Sequence, residues 1–351
     1  MTLSVNIKEA ATLISTCGTN VTCLIRGVPG IGKSSILSIL SEQMPDYLPC
    51  YIDMSTVDLG DLAMPVIDRD SMVTNFAPNA RFGLARNQKR PVIIMLDELT
   101  KASKPVMNMC LPLMLERRIG DVQLPEGSIV FATGNLASDG VGDALAAHAA
   151  NRLTVVDMRP PSVDEWVNWG MSNDIAPEVL AFVKQYPQCL EVYTDTDAAN
   201  PYIFNPLRGQ TAAFCSPRSL AKASHLIKAR SVLGDAILPA LIGTVGEAAA
   251  RDLEAMTALA DQVPSYDAIV KNPDACRLPD GVGAYFLVSF MLAGRVKQDT
   301  MDAVMTYVSR FESFEAKALF LSSIASNSEK VRFACMNRAF TKEAAAAGKF
   351  F

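Results

Sequence analysis

The chain has 351 residues, 50% of them hydrophobic and 20% charged, which is typical of a globular protein with two or three domains. A net charge of −5 gives no overall basic field that would favour a nucleic-acid partner. The eight cysteines include no C-x-x-C pair and there are only two histidines, so we expect no zinc site and a reduced, cytoplasmic protein.

The two ends of the chain give no sign of export or membrane insertion. Met1–Ala10 contains Lys8 and Glu9 and lacks a long apolar core, so we expect no signal peptide. The longest apolar run near the C-terminus, Val282–Gly294, is shorter than the about 20 residues that span a bilayer. We predict a buried helix there and no membrane partner.

Strands and helices alternate in the first part of the chain. Hydrophobic spacing predicts helices at Ile7–Ser15, Ser34–Gln43 and Val106–Arg117. Compact apolar runs predict strands at Val21–Arg26, Pro49–Met54, Val92–Leu96, Ser128–Thr133 and Leu153–Asp157. This alternation predicts an α/β fold with a doubly wound parallel sheet.

Two further features complete the predicted organisation. Val57–Phe82 is rich in Asp, Pro and Gly, and its two short strands, Met64–Ile67 and Met72–Phe76, predict an inserted hairpin. After Pro160 the pattern becomes helical. We predict an α/β domain at 1–160, a helical domain at 161–232 and a helical accessory domain at 233–351.

A glycine-rich segment follows the first predicted strand and fits G-x-x-x-x-G-K-[ST] in full. The glycines let backbone N–H groups surround phosphates, and the next helix adds a positive dipole end. We predict that Lys33 contacts the β- and γ-phosphates of ATP and that Ser34 ligates Mg²⁺. A chance glycine-rich turn is disfavoured by the flanking strand and helix. The predicted nucleotide-binding residues are Gly27, Val28, Pro29, Gly30, Ile31, Gly32, Lys33, Ser34 and Ser35.

Polar residues end two of the buried strands. Asp97 and Glu98 follow Val92–Leu96, and Asn135 follows the strand at Ser128–Thr133. In open α/β sheets ligands bind at the carboxyl ends of strands. Asp97 suits the Mg²⁺ side of the site through water, Glu98 suits a general base for the attacking water, and Asn135 suits a group that holds this water or the γ-phosphate. Helix capping by the acidic pair and a loop-starting asparagine are the alternatives.

Together these motifs resemble the AAA+ ATPases, and within them the MoxR-like branch, including its phage and bacterial members. The Walker A segment Gly27–Ser34, the Walker B segment Leu96–Glu98 and a sensor-1 Asn135 occur in family order. Leu113–Arg118 is similar to that branch's helix before the sensor strand. The resemblance runs from Asn20 to Lys228 and implies a P-loop NTPase fold in which 161–232 is a helical lid.

The resemblance also implies roles for two arginines. Asn151-Arg152-Leu153 resembles the segment whose arginine finger reaches a neighbour's ATP, although both flanking residues depart from the family pattern. Arg117 and Arg118 are therefore rival fingers, and a surface salt bridge is the alternative for Arg152.

The second arginine lies further along the chain. Ser216–Leu220 resembles the sensor-2 signature, which would give Arg218 a γ-phosphate role in its own subunit. A plain position at a helix N-terminus is the alternative, since Pro217 fits a first turn in either case.

The resemblance implies an ATPase that forms a homo-oligomeric ring, usually a hexamer, with each ATP and Mg²⁺ site at a subunit boundary. MoxR-like relatives act as chaperones on protein clients, often ones with a von Willebrand factor A domain. A nucleic-acid motor for replication or packaging is the main alternative. The predicted hairpin insertion carries more aspartates than arginines, which favours a protein client. A P-loop kinase would lack the Asp97–Glu98 pair with Asn135, and a GTPase should show Asn-Lys-x-Asp.

Overall fold

The computed structural model describes residues 3–85, 89–136, 151–193, 200–205 and 213–348. The chain divides into two compact units, Met1–Pro160 and Pro161–Phe351. The first is built on a parallel sheet, and the second is helical. Within the described ranges, no helix combines the length and the apolar character needed to cross a membrane.

The predicted strands and helices are all found in the described part of the first unit. Its strands are β1 (Cys23–Arg26), β2 (Leu48–Asp53), β3 (Ala63–Asp68), β4 (Val73–Pro78), β5 (Val92–Asp97), β6 (Arg118–Ile119), β7 (Val122–Gln123), β8 (Ile129–Gly134) and β9 (Thr154–Asp157). The helices described in this unit are α1 (Ile7–Cys17), α2 (Ser35–Gln43) and α3 (Lys104–Glu116).

The central sheet has the order β2-β5-β8-β1-β9, and every neighbouring pair in it is parallel. All five carboxyl ends therefore meet at one edge. Three of the segments that follow these strands are the glycine-rich loop after β1, Glu98 after β5 and Asn135 after β8. The fold class predicted from the sequence, α/β with a doubly wound parallel sheet followed by helices, is confirmed.

The packing of β5 shows why the central strands of this sheet are continuous apolar runs in the sequence. Val92, Ile94 and Leu96 pack in a cluster with residues of α3. The intervening Ile93 and Met95 pack on the other face with residues of α1 and α2. Because successive side chains of a strand point to opposite faces and both faces are covered by helices, every position must be apolar.

The predicted insertion is an antiparallel hairpin of β3 and β4, and we call Ala63–Pro78 the insertion hairpin. Its backbone is fixed to the turn between β6 and β7, because the N–H of Phe76 donates to Asp121 Oδ2 at 2.6 Å and Asp121 N–H donates to Phe76 O at 3.1 Å. The short β6–β7 pair was not predicted from the sequence. Several large apolar side chains of the insertion hairpin are exposed, namely Met64, Val66, Ile67, Met72, Val73 and Phe76.

The second unit consists of helices around two apolar clusters. The helices are α4 (Val163–Ser172), α5 (Pro177–Gln185), α6 (Pro217–Lys228), α7 (Arg230–Leu233), α8 (Ile237–Val245), α9 (Glu247–Ala260), α10 (Tyr266–Lys271), α11 (Val282–Arg295), α12 (Met301–Ser309), α13 (Phe314–Ala325), α14 (Lys330–Ala334) and α15 (Arg338–Ala347). The apolar run at Val282–Gly294 forms α11, most of whose residues are buried as predicted.

One of these clusters crosses the predicted boundary between the lid and the accessory domain. Leu220 and Ile227 of α6 pack in the same cluster as Leu241, Val245 and Leu253, which lie beyond residue 233. The division of the helical part into two domains therefore stays a prediction.

Candidate functional site

The glycine-rich loop connects β1 to α2 at the carboxyl edge of the sheet. Gly30 and Gly32 have φ angles of 82° and 100°, in the left-handed region that side chains with a Cβ rarely adopt. The N–H of Gly27 donates to Gly134 O at 3.2 Å, which fixes the start of the loop to the end of β8. The loop then leads directly into the helix that begins at Ser35, so backbone N–H groups lie at a helix N-terminus.

The ammonium of Lys33 is held inside this loop. Its Nζ donates to Gly27 O at 2.6 Å, to Val28 O at 3.0 Å and to Asn135 Oδ1 at 3.0 Å. Both Lys33 and Asn135 are only 7% exposed. A buried ammonium needs acceptors for its three donors, so these oxygens hold the charge where the loop closes.

Asp97 accepts hydrogen bonds from three protein hydroxyls. Ser34 Oγ and Tyr51 OH donate to Oδ2 at 2.9 and 2.8 Å, and Thr133 Oγ1 donates to Oδ1. Burial, and next the hydrogen bond to Asp97, raise the pKa of Tyr51, so its hydroxyl keeps its proton at neutral pH. The carboxylate is thereby bound to the loop and to both neighbouring strands.

Glu98 occupies an unusual backbone position beside Asp97. Its φ of 55° and ψ of 39° are left-handed, and its N–H donates to Thr133 Oγ1 at 3.1 Å. The carboxylate Oε2 lies 2.5 Å from the ammonium of Lys101, and the two side chains are 33% and 30% exposed. Glu98 thus lies at the edge of the site, within reach of solvent, whereas Asp97 is buried.

The oxygen atoms at Ser34 and Asp97 fit a magnesium site. Mg²⁺ takes oxygen ligands and is usually bound through one or two protein groups together with phosphate oxygens and water. The hydroxyl of Ser34 and the carboxylate of Asp97 supply such a pair 2.9 Å apart. In the described part of the chain, no group of three His, Cys, Asp or Glu side chains could hold a metal alone.

Arg152 is exposed and precedes the first residue of β9, at the amino edge of the sheet. Thr154, the first residue of β9, pairs with Cys23, the first residue of β1. The phosphate loop follows the last residue of β1, so the length of a four-residue strand separates this loop from Arg152. At about 3.3 Å per residue this is roughly 13 Å, which is longer than an extended arginine side chain. Arg152 therefore cannot contact the phosphate loop of its own chain.

The two rival arginines make contacts within the first unit. Arg117 donates to Thr22 Oγ1 at 2.7 Å, to Gly18 O at 2.9 Å and to Met114 O. Its backbone ends α3 in a left-handed conformation. Arg118, whose side chain is 41% exposed, donates to Gly120 O at 2.8 Å and to a Glu116 carboxylate oxygen at 3.2 Å. The Arg117 guanidinium links the end of α3 to the segment before β1.

Arg218 belongs to the second unit, where it is exposed in the first turn of α6. The cap of this helix is formed by Ser216 and Ser219, whose side chains satisfy each other's backbone N–H groups. The structure thus brings together Lys33, Ser34, Asp97, Glu98 and Asn135 at one edge of the sheet, and Arg152 of the same unit lies outside that group.

Three residues that contact the site were missed in the sequence. Tyr51, Lys101 and Thr133 fit no motif, although each lies within four residues of a strand end at the carboxyl edge. Because Thr133 lies in β8 two residues before Asn135, its contact with Asp97 could have been predicted from the sequence. Tyr51 and Lys101 carry no comparable signal, because their contacts depend on side-chain direction.

No family model matches this chain, and no curated protein sequence matches it. Solved structures similar to it include the RuvB Holliday junction branch migration motor of Thermotoga maritima, with 14% identity, 77% of this chain and 75% of that chain covered, and a TM-score of 0.37. NtrX from Brucella abortus in complex with ADP has 13% identity, with 96% of this chain and 67% of that chain covered and a TM-score of 0.40. PCH-2 of C. elegans has 16% identity, with 73% and 68% covered and a TM-score of 0.32. Because the identities and TM-scores are low, conclusions about function rest on the residues of this chain.

Proposed function

We propose that this protein is an ATPase of the AAA+ type that hydrolyses ATP to ADP and phosphate. One observation carries the proposal: a glycine-rich phosphate loop with its buried lysine lies beside the paired Ser34 and Asp97 and the sensor Asn135 at the carboxyl edge of one parallel sheet. This edge is where open α/β sheets bind ligands. A kinase with the same loop would not need Glu98 at this edge.

In the proposed reaction the loop and Lys33 hold the phosphates, and Ser34 and Asp97 hold Mg²⁺, which would neutralise charge on the transferring phosphoryl group. Glu98 accepts a proton from the attacking water, whose oxygen bonds to the γ-phosphorus as the bond to the β-phosphate oxygen breaks. Once nucleotide occupies the loop, the Asn135 side chain leaves Lys33 and contacts the attacking water or a γ-phosphate oxygen instead. Glu98 must leave Lys101 to act as this base.

We further propose that Arg152 completes the site of a neighbouring copy in a ring, which we expect to be a hexamer. Support comes from its exposure and from its place at the opposite edge of the sheet from its own phosphate loop. An arginine supplied in trans can raise the rate of phosphoryl transfer by about 10³–10⁵. Arg117 is a weaker candidate, because its guanidinium already has three acceptors within its own chain. Arg218 remains a proposed γ-phosphate contact in cis.

A protein client is the partner that we propose, in line with a MoxR-like chaperone. The insertion hairpin exposes apolar side chains such as Met72, Ile67 and Phe76. Exposed apolar surface indicates protein contact, whereas a nucleic-acid motor would need basic residues there. A client with a von Willebrand factor A domain is the finer form of this proposal. All eight cysteines are free thiols, which supports a reduced, cytoplasmic location.

The proposal is tested by measuring nucleotide binding and ATP turnover in the wild type, in Lys33→Ala and in Lys8→Ala. Lys8 is an exposed lysine of α1 and serves as the matched control. We expect Mg-ATP hydrolysis by the wild type and by Lys8→Ala, and loss of nucleotide binding in Lys33→Ala. Tight ATP binding by Lys33→Ala would contradict the assignment of the loop.

Light scattering with Mg-ATP should show the mass of a hexamer, and a mass that stays monomeric would contradict the ring.

A further inference from the structure

A tyrosine outside the nucleotide-binding motifs contacts the carboxylate assigned to magnesium. Tyr51 lies in β2, the strand beside β5, and its hydroxyl donates to Asp97 Oδ2 at 2.8 Å. Half of Tyr51 is exposed, whereas Asp97 is 7% exposed. The phenol therefore lies at the mouth of the site and reaches inward to a buried acid.

The hydrogen bonds of Asp97 leave its carboxylate little freedom. An ionised carboxylate can accept about four hydrogen bonds, and Asp97 already accepts three from hydroxyl groups. The donors come from β8 on one oxygen, and from the phosphate loop and β2 on the other. The carboxylate cannot turn without breaking one of them, and one acceptor position remains for a metal-bound water.

Tyr51 is the most exposed of the three residues that donate to Asp97. Thr133 is fully buried in β8, and Ser34 belongs to the phosphate loop itself. Without the phenol hydroxyl, the Oδ2 side of the carboxylate would be held by Ser34 alone. That serine is the residue whose oxygen would also ligate the metal.

We propose that Tyr51 is a positioning residue for magnesium, which fixes the Asp97 carboxylate beside the Ser34 hydroxyl before the metal arrives. This inference rests on the proposed function. Lys33 and the loop backbone contact the phosphates without Tyr51, so metal-free nucleotide binding should not depend on it. The strengthening of nucleotide binding by Mg²⁺ should depend on it, because a carboxylate that must first be ordered binds the metal less well.

The test is a fluorescence titration with the ATP analogue mant-ATP, in Mg²⁺ and in EDTA, using Glu98→Gln as the parent so that hydrolysis does not interfere. The ratio of the Kd in EDTA to the Kd in Mg²⁺ measures the metal coupling. Tyr51→Phe should lower this ratio about tenfold, the size expected for one hydrogen bond to a charged group, and leave the Kd in EDTA unchanged. Tyr47→Phe is the matched control, because Tyr47 precedes β2 at the amino edge of the sheet.

Each other outcome contradicts a defined part of the inference. An unchanged or larger ratio in Tyr51→Phe would overturn the inference. A higher Kd of Tyr51→Phe in EDTA would also overturn it, because weaker metal-free binding would indicate general damage to the site. A parent ratio of one would overturn it too, since Asp97 would then have no metal to hold. If the parent binds no mant-ATP at all, the proposed function itself fails. Thermal unfolding of each variant checks that the fold is retained.

Discussion

The ammonium of Lys33 lies 3.0 Å from the side-chain oxygen of Asn135, and both residues are buried. Nucleotide phosphates would compete with Asn135 for this ammonium, which would release the amide to orient the attacking water. We therefore expect Asn135→Ala to retain ATP affinity within a few fold and to lose about 10²-fold in kcat. Equilibrium binding and single-turnover hydrolysis measure the two quantities separately. A loss of affinity as large as that of Lys33→Ala would show that Asn135 serves the phosphate loop alone.

Removing the carboxylate of Glu98 should separate binding from chemistry. We expect Glu98→Gln to bind Mg-ATP like the wild type and to hydrolyse it about 10²–10⁴ times more slowly, because the amide cannot accept a proton from water. Filter binding and phosphate release measure the two properties. The control is Glu116→Gln, at the exposed end of α3. Turnover by Glu98→Gln at the wild-type rate would remove Glu98 as the base.

Arg152 should matter only in an assembled ring. We expect Arg152→Ala to bind ATP normally and to lose about 10³-fold or more in kcat, and to inhibit wild-type subunits when the two are mixed. A mixing series at constant total protein measures the inhibition. Arg118→Ala, which removes a partly exposed arginine of the same unit, should leave both properties intact. The reverse result would make Arg118 the residue that acts in trans.

Arg117 should instead affect folding. Its guanidinium donates to Thr22 Oγ1, Gly18 O and Met114 O, and Met114 O also accepts from the Thr22 hydroxyl, so Arg117→Ala removes the arginine donor from Thr22 Oγ1 and Gly18 O in particular. We expect a loss of about 1–3 kcal/mol in the free energy of unfolding, measured with urea. ATP turnover per folded molecule should change little. A stable Arg117→Ala protein without ATPase activity would contradict this and point to a role in catalysis.

Thiol reactivity should follow burial. Cys335 is exposed, whereas burial raises the pKa of Cys50 to about 11 and that of Cys110 to about 12. A raised pKa leaves almost no thiolate at pH 8, and only the thiolate reacts. We expect Cys335 to react first with a disulfide reagent, and all eight thiols to react after denaturation. Mass spectrometry of the labelled peptides would identify the order, and early labelling of Cys110 would contradict the packing around α3.

The sequence predicted most of the first unit because its strands have the simplest signature. Runs such as Val92–Leu96 are apolar throughout since helices cover both faces, and the glycine-rich loop is constrained by its φ angles. The contacts of Tyr51 and Lys101 could not be predicted, because they depend on side-chain direction and on the left-handed turn at Glu98. In the helical unit, the sequence pattern predicted helical structure, including the buried helix at Val282–Gly294, but could not show that α6 packs with residues beyond position 233.

Because the backbone of Glu98 is left-handed, folding stability and catalysis favour different residues at this position. A residue with a Cβ in this conformation costs about 1–2 kcal/mol, which glycine would avoid. Selection for thermal stability alone would therefore replace Glu98, and with it the proposed base. If the proposed reaction is correct, a glutamate persists at this turn only as long as turnover is selected, and descendants that have lost hydrolysis should drift to glycine or asparagine here.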